Sequence, residues 1–249
     1  MHHVIGFTTG VCGGFFGALV GLGGGIVMIP LMILWVKLTQ HRAHGTSLVA
    51  VVFTGLIGAI AYFSYGSVNW RVAALLAISA TITARFGALF AHSLPEKRLK
   101  KAFGIFLVCI ALLLMGKGYL FQASLNASQG VRIIVFLATG MVTGFVSGMM
   151  GVGGGAIMIP PMVILAHMPQ QMAQGTSLLA MVPVGIMGAY THYRLGNVDT
   201  KIALGLVVGA IVGGYSGGTM ANLLPEFYLK LLFSAVLIWM GIRFIRSSS

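Results

Sequence analysis

Two glycine clusters are the residues of this sequence whose type and spacing are best suited to binding a ligand. Each opens a short apolar segment, at 26–37 and at 156–168, that we predict to be helical. The first amides of a helix have no intrahelical partner and carry the positive end of its dipole, and glycine lets a ligand approach that backbone closely. Two such helix starts, brought together, would bind a small anion. The glycines are Gly21, Gly23, Gly24 and Gly25 in one cluster and Gly151, Gly153, Gly154 and Gly155 in the other.

The alternative role for these glycines is close packing between membrane helices, where small residues are enriched. Packing accounts for an isolated GxxxG, but less readily for a GxGGG run followed by an early proline, Pro30 or Pro160. We therefore favour the binding interpretation.

A Gly-Thr-Ser triplet follows each cluster and supplies hydroxyl groups. Thr46 with Ser47, and Thr176 with Ser177, could donate to an anion while remaining uncharged. Threonine and serine also cap helices, and these triplets would then open the third segment of each half. Both roles are compatible.

Two ionisable residues are further candidates. Arg85 is predicted to lie about fourteen residues into the apolar segment 71–92, where an arginine either binds an anion or extends its charge towards the surface. His192 is a candidate for accepting a coupling proton, with an interfacial position close to a loop as the alternative.

The scarcity of acidic residues excludes several classes of function. Only Glu96, Asp199 and Glu226 are acidic, and each is predicted to lie between apolar segments. This excludes a proton or sodium relay of intramembrane carboxylates, and no nucleophile–base pair is evident, so we expect no enzyme and no cofactor. His41 and His44 have no third donor nearby, so we expect no metal site.

Composition places the chain in a membrane. Of its 249 residues 58% are hydrophobic and 7% are charged, against about 25% charged in soluble domains. The formal net charge of +12 comes from short breaks between apolar runs, as the positive-inside bias predicts, so we expect no nucleic-acid partner. The expected environment is the lipid bilayer of a bacterial-type inner membrane.

The chain contains an internal repeat with an offset of 130 residues. GFFGALVGLGGGIVMIP at 14–30 matches GFVSGMMGVGGGAIMIP at 144–160, and 25 of 60 positions are identical between 9–68 and 139–198 without a gap. We predict two membrane repeats, at 1–121 and 131–249, joined by a loop at 122–130.

Each repeat contains about five apolar segments, which in the first are 4–20, 25–37, 45–65, 71–92 and 99–120. The second segment is too short to span a hydrocarbon core of ~30 Å. The first two segments are therefore predicted to form a Gly-broken or re-entrant pair of helices. Such a backbone is tolerated at membrane depth where protein or a water-filled cavity covers it.

Loop charges predict how the repeats are oriented. An inverted duplication puts ten basic residues inside and four outside, whereas a parallel one puts seven on each side. The inside set is Lys37, Arg42, Lys97, Arg98, Lys100, Lys101, Arg194, Lys201, Arg243 and Arg246. We therefore predict an all-α integral membrane protein of two inverted-topology repeats, with the short helices at the repeat interface and both termini cytoplasmic.

The doubled glycine motif with its proline, each followed by a Gly-Thr-Ser triplet, resembles the sulfite exporter TauE/SafE family of membrane proteins. The resemblance covers nearly the whole chain and implies transport of sulfite, sulfoacetate or a similar organosulfonate.

We therefore expect a secondary transporter of a small anion, working by alternating access. The alternatives are an anion channel and a membrane scaffold subunit without substrate. Assembly into a homo-oligomer is compatible with each of the three.

Overall fold

The computed structural model describes residues 2–90, 105, 108–109, 111–112, 129–151 and 153–247, and their regular structure is helical throughout. Most of the predicted fifth segment, the basic residues at 97–101 and the predicted connecting loop lie outside the described residues. The helices are α1 His2–Val20, α2 Gly25–Val36, α3 Gln40–Ser64, α4 Trp70–Phe90, α5 Gln129–Met150, α6 Gly155–Ile164, α7 Gln170–Arg194, α8 Thr200–Leu223 and α9 Glu226–Ser247.

Six of these helices, α1, α3, α4, α5, α7 and α8, are long and apolar enough to cross a membrane. Their outward surfaces carry large exposed apolar side chains such as Phe63 and Leu204, at 69% and 65% exposure. Apolar surface of that extent is suited to lipid rather than to water. The chain is a multi-pass membrane protein.

The two short helices, α2 and α6, begin at the glycine clusters, and each is followed by a left-handed residue at an equivalent position. Lys37 and His167, 130 residues apart, have positive φ values of 56° and 52°. A left-handed residue just after a helix lets later amides turn back to its last carbonyls, and the Met168 amide donates to the Met162 carbonyl at 3.0 Å. Helix α6 therefore ends at Ile164, four residues before the predicted end.

The first helix pair of each half folds back on itself. In α1, Gly13 packs against Met28 of α2, and Gly17 packs against Gly24. Because later residues of α1 meet earlier residues of α2, the pair is an antiparallel hairpin with the glycine loop at its tip. The prediction of short, Gly-broken helices is thereby confirmed.

Small residues bring two parallel helix pairs into backbone contact. Gly6, Gly10 and Gly14 of α1 lie against the α8 backbone between Ile202 and Gly214. Helices α5 and α4 pack in the equivalent way, with Gly140, Gly144 and Gly148 against the backbone from Leu76 to Ala84. Each of the two pairs therefore joins a helix of the first repeat to a helix of the second. Any side chain larger than hydrogen would separate these helices, as expected for small-residue membrane interfaces.

The third helices of the two halves, α3 and α7, pack against each other in antiparallel fashion. Gly55 meets Leu178 and Val182, and the equivalent Gly185 meets Val52 and Leu48. The contacts are reciprocal between equivalent positions of the two halves. Helices α1, α3 and α8 therefore begin at one face of the molecule, called the N-terminal face below, where α4 and α7 end.

Candidate functional site

The two glycine loops, residues 21–25 and 151–155, contact each other between the two halves. A methyl group added to Gly155 would overlap the Gly21 carbonyl oxygen, and one added to Gly153 would meet the Leu22 carbonyl oxygen. In this conformation the loops are closed on each other. Gly21, Gly23, Gly24, Gly25, Gly151, Gly154 and Gly155 are buried, and Gly153 is partly exposed.

Glycine is required by the backbone conformation of most of the loop positions. The φ values are 75° at Gly21, 80° at Gly23 and 88° at Gly24, and 67° at Gly151 and 81° at Gly153. These are left-handed conformations that other residues adopt at a cost. The exception is Gly154, whose φ is −119° where its equivalent Gly24 is left-handed. The two loops are therefore similar without being identical.

The first amides of both short helices have no acceptor among the described residues. The Gly24 carbonyl accepts from the Val27 and Met28 amides at 3.0 Å, and the Gly154 carbonyl accepts from those of Ile157 and Met158 at 3.1 Å. The amides of Gly25, Ile26, Gly155 and Ala156 are thus left without a partner in the described part of the chain. Each helix start offers donors and the positive end of a dipole, which suits an anion.

The serines of the triplets hold the opposite half's glycine loop. Ser177 Oγ donates to the Gly21 carbonyl at 2.9 Å, and Ser47 Oγ donates to the Gly151 carbonyl at 2.9 Å. Each hydroxyl also lies 2.8 Å from a carbonyl of its own helix. In this conformation both hydroxyl hydrogens are used within the protein, so the serines fix the loops in place.

The threonines of the triplets anchor the turns that precede α4 and α8. Thr46 Oγ1 accepts from the Asp199 amide at 2.9 Å, and Thr176 Oγ1 accepts from the Asn69 amide at 2.9 Å. Asp199 in turn caps α8 with its carboxylate. The alternative that the triplets open a helix is wrong, because α3 and α7 begin five residues before Gly45 and Gly175.

Two buried polar side chains beside the loops each have one atom without a hydrogen-bond partner in the described chain. Neither residue was singled out from the sequence. Gln174 packs against Gly21, and its Oε1 accepts from the Tyr62 hydroxyl at 2.9 Å, which leaves Nε2 without an acceptor. Thr143 packs against Gly154, with its hydroxyl unpaired. A buried donor without a partner costs about 1–3 kcal/mol, so such groups call for an explanation such as a ligand.

Met181 is a third residue that the sequence did not reveal. Its side chain meets Gly23 from one loop and Gly153 and Gly155 from the other, and it is fully buried. It therefore lies where the two loops meet. The only signal in the sequence is the repeat alignment, which pairs Met181 with Val51 just after each triplet.

His192 is buried within the protein, with its Nε2 3.0 Å from the Gly148 carbonyl oxygen. It lies in the last turn of α7, close to the loop that follows, so its position also fits the interfacial alternative. Its repeat equivalent Tyr62 bonds to the carbonyl of Ala18, the equivalent of Gly148, at 3.1 Å. The two halves thus make the same contact with two different side chains, a tyrosine and a histidine.

Arg85 does not join the glycine loops. It is exposed and lines a cleft of about 410 Å³ between α4 and the end of α7, and none of the loop residues is among those lining it. Arg85 lies five residues before the last residue of α4, close enough to the N-terminal face for its charge to reach the surface. This exposed position fits the alternative in which the charge of Arg85 extends towards the surface.

Six apolar spanning helices, with two short helices that meet at glycine loops between similar halves, define a multi-pass membrane protein of transporter type. The family model described as "Sulfite exporter TauE/SafE" matches residues 6–244. The chain belongs to this family.

Relatives agree with that assignment. The chain is 30% identical to "Probable membrane transporter protein YunE" of Bacillus subtilis, with 98% of each chain covered. It is 32% identical to a "Probable membrane transporter protein" of Xylella fastidiosa, over 88% of this chain and 82% of the relative. With "Probable membrane transporter protein MJ0441" of Methanocaldococcus jannaschii it shares 26% identity over 96% and 92%. No solved structure matches the chain.

The family and these names indicate a membrane transporter of the TauE/SafE type.

Proposed function

We propose that this protein is a secondary transporter of a small sulfur-containing oxyanion or organosulfonate, such as sulfite or sulfoacetate. The observation that carries the proposal is the contact of two glycine loops, each leading into a helix whose first amides have no acceptor among the described residues. Anions bind at such helix starts through backbone donors and the helix dipole. The description of the family supports sulfite as the first substrate to test.

The donors of the proposed site are the backbone amides of Gly25, Ile26, Gly155 and Ala156, together with the side chains of Gln174 and Thr143. No carboxylate of the described chain belongs to this set, since Asp199 caps α8 and Glu226 begins α9. An uncharged set of donors binds an anion without the cost of burying a lone cation.

Transport requires the closed loops to separate towards one side at a time. The serine bonds to Gly21 and Gly151 connect each loop to the opposite half, so a rocking motion of the halves would carry the loops with it. Since α1 packs on α8 and α4 packs on α5 through backbone contacts, we propose that each moving unit contains helices from both sequence repeats, 1–121 and 131–249. Alternating access by rocking repeats is the common mechanism of transporters of this kind.

The antiparallel packing of α3 and α7 supports an inverted arrangement of the repeats. Both helices are long enough to span the membrane, so a twofold axis relating them lies in the membrane plane. Among the described residues, Lys37, Arg42, Arg194, Lys201, Arg243 and Arg246 lie towards the N-terminal face, whereas Arg71, Arg132 and Lys230 lie at helix starts on the opposite face. We propose that the N-terminal face, with both termini, is cytoplasmic in a bacterial-type inner membrane.

Proton coupling through His192 is part of the proposal. Sulfite near neutral pH exists as singly and doubly charged forms, so transport linked to a proton is chemically natural. His192 is buried, contacts the helix that leads into the second glycine loop, and packs beside Gly45, the neighbour of His44. Its protonation would change the charge close to Gly151.

The experiment that tests the function is counterflow in proteoliposomes. Vesicles loaded with unlabelled sulfite should transiently accumulate labelled sulfite through a transporter. The reason is that export of unlabelled sulfite keeps returning the binding site to the outside, where it binds the label. A channel would only equilibrate the label, and a scaffold subunit would leave it outside. The internal sulfite is then replaced with sulfoacetate, taurine, sulfate or chloride. The amount of label accumulated with each internal anion ranks these anions as substrates.

A further inference from the structure

A basic cleft lies between α4 and α7 at the N-terminal face, apart from the glycine loops. It has a volume of about 410 Å³ and is lined by Arg85, Leu89, Met187, Tyr190, Thr191, Arg194 and Leu195. Two guanidinium groups from different helices therefore border one cavity. No acidic residue is among those lining residues.

The carboxylate that the described structure places in the neighbouring turn, Asp199, is already engaged. Its Oδ2 lies 3.2 Å from Arg42, and its Oδ1 accepts from two amides at the start of α8. It therefore does not neutralise the cleft. Two arginines that line one cleft, with no acid among its described lining residues, are suited to a phosphate group, which guanidinium binds through two parallel hydrogen bonds.

The equivalent positions of the other repeat contain no basic residue. Tyr215 replaces Arg85, Ser64 replaces Arg194, and Ile60 and Ala61 replace Tyr190 and Thr191. The fold of the two halves is similar there, so the arginine pair is not required by helix packing. Both arginines are also exposed, and truncating them removes no buried contact.

The cleft lies near the ends of two helices that are long and apolar enough to cross a membrane. Arg194 is the last residue of α7, and Arg85 lies one to two turns before the end of α4. Exposed Phe86 and Tyr190, at 59% and 57%, flank it on the lipid-facing surface. A ligand in this position would have its charge at the membrane surface and its apolar part along the helices.

We propose that this cleft binds the phosphate of an anionic phospholipid in the leaflet at the N-terminal face, with an acyl chain along Leu89 and Met187. The two arginines favour an anionic headgroup. Because the cleft would open towards the bilayer, a lipid is favoured over a free ion. Basic pockets between transmembrane helices commonly hold such headgroups.

The test uses the full-length protein in detergent with the double variant Arg85→Gln/Arg194→Gln. Binding of short-chain phosphatidylglycerol, measured by native mass spectrometry, should weaken roughly thirtyfold in this variant. The matched control is Arg71→Gln/Arg132→Gln, which removes the same charge from exposed positions at the opposite face and should bind as the wild type does. Unchanged melting temperatures without lipid show that both variants are folded.

Three results would overturn the proposal. The first is equal binding by the wild type and the Arg85/Arg194 variant. The second is an equal loss of binding in the control pair, which would indicate a diffuse charge effect. The third is competition by inorganic phosphate or glycerophosphoglycerol at the same concentration as the lipid, which would assign the cleft to a free anion. Weak binding of phosphatidylcholine by all variants supports recognition of the anionic headgroup.

Discussion

The hydroxyl of Ser177 donates a hydrogen bond of 2.9 Å to the carbonyl of Gly21, and so connects α7 of the second half to the glycine loop of the first. The equivalent bond runs from Ser47 to Gly151, in the opposite direction between the halves. This pair of bonds is why the two loops meet. Because of these bonds, the loops should move whenever the two halves move relative to each other.

Replacing Ser177 with alanine should destabilise the protein by about 1–2 kcal/mol, because the buried Gly21 carbonyl loses its donor. Thermal unfolding in detergent measures the change. Ser216→Ala is the control, since Ser216 is exposed and bonds only to carbonyls of its own helix, so its loss should be within about 0.5 kcal/mol of zero. Equal melting temperatures for Ser177→Ala and the wild type would contradict a stabilising role for the hydrogen bond between Ser177 and Gly21.

Gly155→Ala should abolish transport by forcing the two loops apart, because the added methyl overlaps the Gly21 carbonyl. Overpacking of this kind costs about 1–3 kcal/mol, so the protein should still be recovered folded. Gly130→Ala is the matched control, because a methyl there meets no atom within 4 Å. Counterflow at the wild-type rate in Gly155→Ala would show that the contact between the loops is not part of the transport cycle.

Asp199→Ala should cost about 1 kcal/mol, because α8 loses the side chain that caps it. Asp199→Asn should restore most of this loss, because Asn69 at the equivalent position caps α4 through its own Oδ1. Chemical denaturation in a mild detergent distinguishes the two variants. If alanine and asparagine were equally destabilising, the effect would come from the Arg42 ion pair rather than from the cap.

His192→Gln should remove the stimulation of transport by a pH gradient and retain counterflow, because glutamine can still bond to the Gly148 carbonyl but cannot be protonated near neutral pH. Uptake with and without an imposed gradient measures the difference. His41→Gln, a change at the start of α3, serves as the control and should keep the stimulation. A variant at position 192 that still responds to the gradient would exclude His192 as the coupling group.

The sequence was sufficient to predict much of the fold, because glycine, proline and apolar run length act through local physics. The positive φ values at Gly21, Gly23 and Gly24 and the short α2 and α6 follow from residues that are adjacent in the chain. The start of α3 was misplaced by five residues. Its first turn, Gln40 to His44, is polar, so a prediction based on apolar runs does not include it.

The side-chain partners could not be predicted, because they depend on contacts between distant segments. The Ser177 hydroxyl could have faced a ligand or a carbonyl, and only its distance from Gly21 decides for the carbonyl in this conformation. Likewise, a glutamine before a Gly-Thr-Ser triplet gives no indication that its amide is buried beside the opposite loop. The repeat alignment gave the available clue, because the equivalent positions 44 and 174 hold two different polar residues, His44 and Gln174.

The most direct test of an anion site between the loops compares the stability of the wild type and Gln174→Met across a panel of anions. The variant keeps the length of the side chain and removes the unpaired Nε2, while the Tyr62 hydroxyl keeps the Ala18 carbonyl as an acceptor at 3.1 Å. Without a ligand the variant should therefore be more stable than the wild type, by about 1 kcal/mol.

At an anion concentration of ~100 times its dissociation constant, the wild type should gain roughly 2.7 kcal/mol from the preferred sulfur oxyanion. Chloride at matched ionic strength should give no such gain, and Gln174→Met should lose most of it. A flat response of the wild type across sulfite, thiosulfate, sulfate, sulfoacetate and taurine, or an undiminished response of the variant, would contradict the site.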